Sequence, residues 1–238
     1  MALSSGIFIA LEGLDGAGTT TQATRLAEYL RSIGRDVCLT CEPSTGEVGK
    51  LLRRYLSGEM PLAPSAMALL FAADRVDHLD REVRPALQSG AIVISDRYLG
   101  SSLAYQSTAL GMDWVDTING FAPHADLTLY LRVAPAVAAK RLKQRAGKQE
   151  IYDAIDQQER ICLKYDAIFG YREGSRLPEH LTIKRGQKMD SGGSPAEAKA
   201  VILNGELSTE DVFDGILRAV EKDCPESEIR GTIAVGGK

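Results

Sequence analysis

Residues 6–33 read GIFIALEGLDGAGTTTQATRLAEYLRSI, and three kinds of patterning follow one another in that stretch. Gly6 to Gly13 is a short apolar run rich in Ile that stops at a glycine, as a buried strand does. Gly13, Gly16 and Gly18 then punctuate a loop. From Thr20 onward Ala23, Leu26, Ala27 and Leu30 recur at helical spacing, so the loop opens a helix. In a strand–loop–helix unit of this kind, glycines let backbone N–H groups turn inward around an anion, and the helix N-terminus adds partial positive charge. The spacing from Gly13 through Gly18 to Thr20 is that of a phosphate-binding P-loop, with Thr19 where a lysine is expected. A threonine donates one hydrogen bond and brings no charge. Thr20 keeps the hydroxyl position that ligates magnesium in such loops. Taken alone, the stretch also suits a structural Gly-rich turn.

Outward from this unit the same alternation continues. The patterning predicts strands over 36–41, 91–95 and 127–133, and helices near 47–56, over about 65–88, and over 135–144, where Pro135 sits at a first helical position that needs no N–H. Helical material fills the interval from 96 to about 121, and a further helix runs near 154–169. The region 170–198 is polar, contains SGGSP and reads as an exposed insertion or loop. Residues 200–205 restore a last strand. Ser208 with Asp211 three residues later starts a helix to about Glu221. Strands alternating with helices imply a mainly parallel sheet covered on both faces. The expected fold is three-layer α/β, a single domain over 1–222 with a loosely held tail at 223–238.

Composition agrees with a globular chain. The 238 residues are 44% hydrophobic and 25% charged, enough apolar mass for a sizeable core and too little charge bias for disorder. No run approaches the ~18 apolar residues of a membrane span, and Met1 to Gly6 lacks the basic start of a signal peptide, so a cytoplasmic address without membrane is expected. The net charge of -4 argues against a nucleic-acid polymer as partner. That average hides twelve Lys/Arg against eight Asp/Glu between Lys140 and Asp190. A local basic region on an acidic chain suits a small anionic ligand; solvated helix faces are the alternative. Of the four cysteines, Cys38 and Cys41 form a CxxC on a β-like run, where odd spacing sends the side chains to opposite faces, and they read as structural.

A second chemical stretch is AIVISDRY at 91–98. Its strand delivers Asp96, Arg97 and Tyr98 to the carboxyl edge of the sheet, where open α/β folds bind ligands. Asp96 suits a magnesium shell, and Arg97 beside it could bridge the attacking and transferred phosphates. An Asp–Arg surface pair is the other reading of the same residues. His78, His124 and His180 show no catalytic partner.

With five ordered motifs, LEGLDGAG, CEPSTGEVGKLLR, LLFAADRVDHL, ISDRYLGSSLAYQ and LRVAPAVAAKRLKQR, the chain resembles the thymidylate (dTMP) kinases of the P-loop nucleoside monophosphate kinases, from about Ile7 to Leu177 and again over 200–220. The resemblance implies a P-loop kinase fold with a lid at about 145–153, and transfer of the ATP γ-phosphoryl group to dTMP with Mg²⁺ as cofactor, by a homodimer. A nucleotide-binding module without turnover, or a kinase for another monophosphate, are the alternatives that Thr19 leaves open. The implied ATP site is Gly13, Asp15, Gly16, Ala17, Gly18, Thr19, Thr20 and Thr21, with Arg141 packing on adenine. For dTMP it implies Asp15 toward the 3′-hydroxyl, Phe71 stacking on thymine, Arg75 at a base carbonyl, and Ser101, Ser102 and Gln106 as polar contacts. Tyr105 would lie against the sugar, and Glu42, Arg53 and Arg97 would surround the acceptor phosphate. Arg97, Asp96, Arg145 and Lys148 are the implied catalytic groups, and Thr20 with Asp96 would hold the metal. Departures accompany the matches. Cys41 stands where many members carry a basic residue, Gly16 replaces an arginine found in others, and 170–199 is a longer insertion than the family requires.

Overall fold

A computed structural model describes residues 6–144, 154–172, 180–184 and 199–224. In chain order the elements are β1 (Ile7–Gly13), α1 (Thr19–Ser32), β2 (Val37–Cys41), α2 (Glu47–Leu56), α3 (Pro64–His78), α4 (Arg84–Gln88), β3 (Ile92–Asp96), α5 (Leu99–Tyr105), α6 (Met112–Ile118), β4 (Leu127–Arg132), α7 (Pro135–Gln144), α8 (Ile155–Phe169), β5 (His180–Lys184), β6 (Lys199–Asn204) and α9 (Thr209–Asp223). The strands form one sheet in the order β2-β3-β1-β4-β6-β5. The first five are mutually parallel, and β5 joins the edge antiparallel.

Every residue of β1 is buried. Ile7, Ile9 and Leu11 join one apolar cluster with Leu26 and Leu30 of α1 and Ile216 of α9. The alternate residues Phe8 and Ala10 join a second cluster with Val83, Leu103 and Val115. Period-two alternation therefore feeds two cores, one on each side of the strand, which is why a continuous apolar run rather than a polar/apolar alternation marks the central strand. Each fully buried Ile or Leu contributes roughly 1.5–3 kcal/mol.

Two expectations change. The helix expected over about 65–88 is α3 and α4 joined through a wider π turn at Leu79–Val83. Pro85 lacks an N–H and its ring crowds the carbonyl one turn back, and widening the preceding turn accommodates both. The insertion expected as loop contains β5, whose Leu181 and Ile183 alternate with polar residues and whose backbone pairs with Leu203 to Lys199. Five residues of alternation inside a polar, Gly-rich stretch are too short a signal to separate from loop. The helix start at Ser208 is as expected: its Oγ accepts the Asp211 N–H at 3.1 Å. The expected lid at about 145–153, most of the insertion and the tail beyond 224 lie outside the described residues. None of the described helices is long and apolar enough to cross a membrane.

Parallel register brings the ends of three strands to one edge. Leu11 of β1 and Cys41 of β2 both stand opposite Asp96 of β3, so the loops that follow these strands open together.

Candidate functional site

The loop after β1 wraps the start of α1. Gly16 and Gly18 have φ of +87° and +96°, left-handed conformations that admit glycine without strain. A Cβ on Gly16 would stand 2.6 Å from the Ala138 carbonyl of α7, so α7 occupies the space that a side chain at 16 would need. The first-turn amides of α1 have no intrahelical acceptors and face the loop. Thr19 is 5% exposed, with its methyl against Gly13, while Thr20 and Thr21 are exposed.

One side of this loop borders a cavity of about 410 Å³ lined by side chains from the loop itself, from α1, β2, α2, α3, β3 and α5, and from the segments that follow β2 and β3. Asp15, Thr20, Glu42, Arg53, Phe71, Arg75, Asp96, Arg97, Ser101, Ser102, Tyr105 and Gln106 all line it. Twelve positions spread over 92 residues of sequence thus meet in one cleft. Gly16, Ala17, Gly18, Thr21 and Arg141 line a second cavity of about 220 Å³ on the other side of the loop. There Arg141 donates from Nη1 to the Gly205 carbonyl at 2.8 Å. Arg145 and Lys148 fall outside the described residues.

Within the larger cavity the side chains form three linked groups. Arg75 is 1% exposed and is held by four acceptors: Glu42 Oε2 at 2.6 Å, the Tyr98 carbonyl at 3.2 Å and Ser102 Oγ at 3.0 Å accept from Nη2, and Asn119 Oδ1 accepts from Nη1. Its Nε–H donates to nothing among the described residues, and Gln106 Oε1 is likewise buried without a partner there. A donor and an acceptor beside Phe71 are what a planar, hydrogen-bonding ring requires. Glu42 is thus taken up by Arg75 and His78, whose Nδ1 lies 3.2 Å from Glu42 Oε1 and whose Nε2 lies 2.7 Å from Thr40 Oγ1. A carboxylate so committed orients the arginine rather than meeting an anion.

The second group surrounds Arg97. This residue has φ of +72°, a left-handed conformation unusual for a side chain other than glycine and concentrated at functional sites. Its Nη2 pairs with Asp15 Oδ1 at 2.5 Å and its Nη1 donates to the Gly13 carbonyl at 2.8 Å. The guanidinium lies 5.2 Å from the Tyr105 ring centroid, and Tyr105 donates its hydroxyl to Asp15 Oδ2 at 2.9 Å. Burial opposes the arginine's charge, but the Asp15 and Asp96 carboxylates around it push its pKa well above the usual arginine value. Burial also keeps the Tyr105 and Tyr165 phenols neutral. Arg53, on α2, points its guanidinium at the Pro43 and Ser44 carbonyls. Asp74 fixes that turn by accepting from Ser44 N at 2.7 Å and Ser44 Oγ at 2.6 Å.

The third group is Thr20 and Asp96. Thr20 Oγ1 donates to Asp96 Oδ2 at 2.5 Å, and Asp96 Oδ1 is buried and accepts from nothing among the described residues. A hydroxyl and a carboxylate with an unused oxygen form a hard-oxygen donor pair, which fits magnesium completed by phosphate oxygens and water. No cluster of three or more His, Cys, Asp or Glu side chains suited to a metal occurs among the described residues, so this pair does not form an all-protein cage.

The sequence patterns passed over Glu12 and Asn119 and left His78 without a role. Glu12, wholly buried at the end of β1, accepts from Tyr98 N, Ser101 Oγ and Tyr165 OH. A lone acid in IFIALEG was the available signal. The cysteines are all free: Cys38 Sγ is 3.8 Å from Glu82 Oε1, while Cys41 lines the large cavity beside Arg53.

The sequence matches the family model described as thymidylate kinase over residues 11–177. It is 42% identical over 166 residues to a probable thymidylate kinase of Pyrococcus horikoshii, covering 67% of this chain and 81% of that one. To a probable thymidylate kinase of Thermococcus onnurineus it is 35% identical over 226 residues, covering 91% and 98%. A thymidylate kinase of Bifidobacterium longum is 42% identical over 156 residues, covering 61% of this chain and 76% of its own.

Proposed function

The chain belongs to the thymidylate kinase family, and from that premise we propose that it transfers the γ-phosphoryl group of ATP to the phosphate of dTMP, giving ADP and dTDP. The observation that carries the reading is the large cavity: an Arg75 donor and a Gln106 acceptor, unpartnered among the described residues, beside Phe71 at one group, and a half-buried, charged Arg97 paired with Asp15 at another. Thymine offers the carbonyl and N–H that the first group lacks, and a monophosphate offers the anion that suits the second.

In this reading dTMP enters the large cavity with its base against Phe71, the Arg75 Nε–H on a base carbonyl, and Tyr105 and Asp15 beside the deoxyribose. ATP lies over Gly13 to Thr21 with adenine near Arg141, so that the loop separates donor from acceptor. Thr20 and Asp96 would hold Mg²⁺, which when bound neutralises charge on the donor phosphates. The acceptor oxygen is already ionised at neutral pH, so no strong base is required. The bond between the γ-phosphorus and the β,γ-bridging oxygen breaks while a new one forms to the dTMP phosphate oxygen. What the protein supplies is alignment and cationic screening. Arg97 stands between loop and acceptor cavity and provides that screening, with Arg53 on the acceptor side. Arg145 and Lys148 are the further cations proposed for the lid. Residues 1–222 work as one domain, because loop, acceptor groups and lid segment interleave along the chain. A homodimer in the cytoplasm, acting on nucleotides and not on a nucleic-acid polymer, completes the proposal.

A coupled ATPase assay with dTMP, dUMP, UMP and dGMP tests it. Preferential turnover of dTMP is expected. Binding of dTMP by calorimetry with no turnover at any magnesium concentration would overturn the enzyme reading, and preference for another monophosphate would overturn the substrate.

A further inference from the structure

Glu12 sits at the end of an otherwise apolar strand and immediately before the first glycine of the phosphate loop, with no solvent exposure. Burying an unpaired carboxylate is costly, so such a group persists where its oxygens are fully used. Here Oε1 accepts the Tyr98 N–H at 3.1 Å. Oε2 accepts the Ser101 hydroxyl at 2.6 Å and the Tyr165 hydroxyl at 3.0 Å. The two hydroxyl oxygens lie 3.2 and 3.4 Å from Arg97 Nη1. They also lie 2.8 Å from each other; two hydroxyls have two protons, so one donates to the other only by giving up its bond to Glu12, and in every arrangement at least one proton ends on Glu12. Gly100 makes the approach possible, since a Cβ there would stand 2.8 Å from Glu12 Oε1.

An ionised carboxylate only accepts hydrogen bonds. It draws the hydroxyl protons of Ser101 and Tyr165 downward, which leaves their lone pairs facing the guanidinium. The third bond acts on the backbone: Tyr98 N–H is the amide that follows Arg97, the residue held at φ +72°. We propose that Glu12 is the positioning residue of Arg97, holding its backbone through the Tyr98 amide and its guanidinium through the Ser101 and Tyr165 hydroxyls. An amide at position 12 keeps the shape but offers one acceptor oxygen and a donor, so either the Tyr98 N–H or the pair of hydroxyls loses its acceptor, and one of the two holds on Arg97 is lost. Burial raises the Glu12 pKa, while the hydrogen bond from Ser101 and the Arg97 charge oppose that rise. The same two partners therefore favour the ionised form that the arrangement uses.

The catalytic consequence rests on the phosphoryl-transfer reading above; the link between the two residues is readable without turnover. Glu12→Gln is expected to lower kcat with ATP and dTMP by about 10- to 100-fold, the usual loss when a group that orients a reacting residue is removed, with ATP affinity by calorimetry unchanged. Because a buried change can impair folding, Tyr165→Phe is the second variant; it keeps the ring in its stacked cluster with Tyr130 and Phe169. Its loss in kcat should vanish in an Arg97→Met background. An equal loss in both backgrounds, or wild-type kcat in Glu12→Gln, overturns the proposal. Nitrogen-15 NMR gives the independent reading. Slowly rotating Nη protons of Arg97, identified by their loss in Arg97→Met, are expected in the wild type and absent in Glu12→Gln and Tyr165→Phe. If they persist unchanged in both variants the proposal fails, even where wild-type protein turns over no monophosphate and it is the kinase reading that has failed.

Discussion

Thr20 Oγ1 donates to Asp96 Oδ2 at 2.5 Å, joining the first turn of α1 to the end of β3 across the mouth of the large cavity. The contact brings two hard oxygen ligands together, and the second Asp96 oxygen accepts from nothing among the described residues. Thr20→Ala is expected to lower kcat by about 100-fold and to raise the magnesium concentration needed for half-maximal rate. dTMP binding measured without magnesium should be unaltered. Initial rates over a magnesium series, with calorimetry beside them, check both halves.

The Arg75–Glu42 pair, 1% and 4% exposed, is deep enough that each charge depends on the other. Glu42→Leu leaves the guanidinium uncompensated and is expected to cost about 3–5 kcal/mol of stability. Adding Arg75→Met to it should recover most of that loss, since two apolar groups of similar volume need no partner. Urea denaturation of the two single variants and the double variant reads the result. Near-additive losses would mean that the two charges are not coupled.

The part of this architecture that could be read from sequence is the part set by local chemistry. The apolar run ending at Gly13, the helical spacing from Thr20, Pro135 at the start of α7 and the Ser208 cap each act within a few residues, and each stands where the pattern puts it. Motif order placed Phe71, Arg75, Arg97 and Tyr105 around one cavity. The groups that orient them were hidden, because their partners are remote: Glu12 meets Tyr165 153 positions away, and Arg75 meets Asn119 44 positions away. His78 resembled a histidine without a role until the fold set it against Glu42 and Thr40. No local periodicity reports such contacts. The π turn before Pro85 and the short β5 failed for the opposite reason, since their local signals were present but too brief.

Cysteine chemistry separates structure from reactivity. Burial pushes the Cys38 thiol up to about 11, with Glu82 beside it adding to the rise. Burial also raises Cys41, against the nearby Arg53. Only the thiolate is a strong nucleophile, so alkylation of native protein by iodoacetamide at pH 8 should be about 100-fold slower at Cys38 than in the urea-unfolded chain. The rate should climb as pH approaches 11. Cys41, which lines the large cavity, should be slowed further by dTMP, whereas Cys38 should not. Peptide mass spectrometry after timed quenching distinguishes the sites, and equal protection of both by dTMP would place the nucleotide elsewhere.

Thr19 is the position where the loop lacks its usual cation, and the geometry around it says what a lysine there would do. Its Cα lies at the first turn of α1, its methyl packs on Gly13, and Arg97 donates to the Gly13 carbonyl. A lysine at 19 adds a charge at the loop, while Asp15 and the Gly13 carbonyl hold Arg97 where it is. Thr19→Lys is therefore expected to retain turnover and to tighten ATP binding. Arg97→Ala removes a guanidinium that touches both Asp15 and the loop carbonyl and is expected to lower kcat by about 1000-fold. If the lysine acted in place of the arginine, Thr19→Lys would rescue Arg97→Ala. We expect it not to, because on the proposed reading the ammonium would lie over donor oxygens, whereas Asp15 and the Gly13 carbonyl hold the arginine charge at the acceptor cavity. Steady-state rates of the wild type, both single variants and the double variant decide between substitution and division of labour.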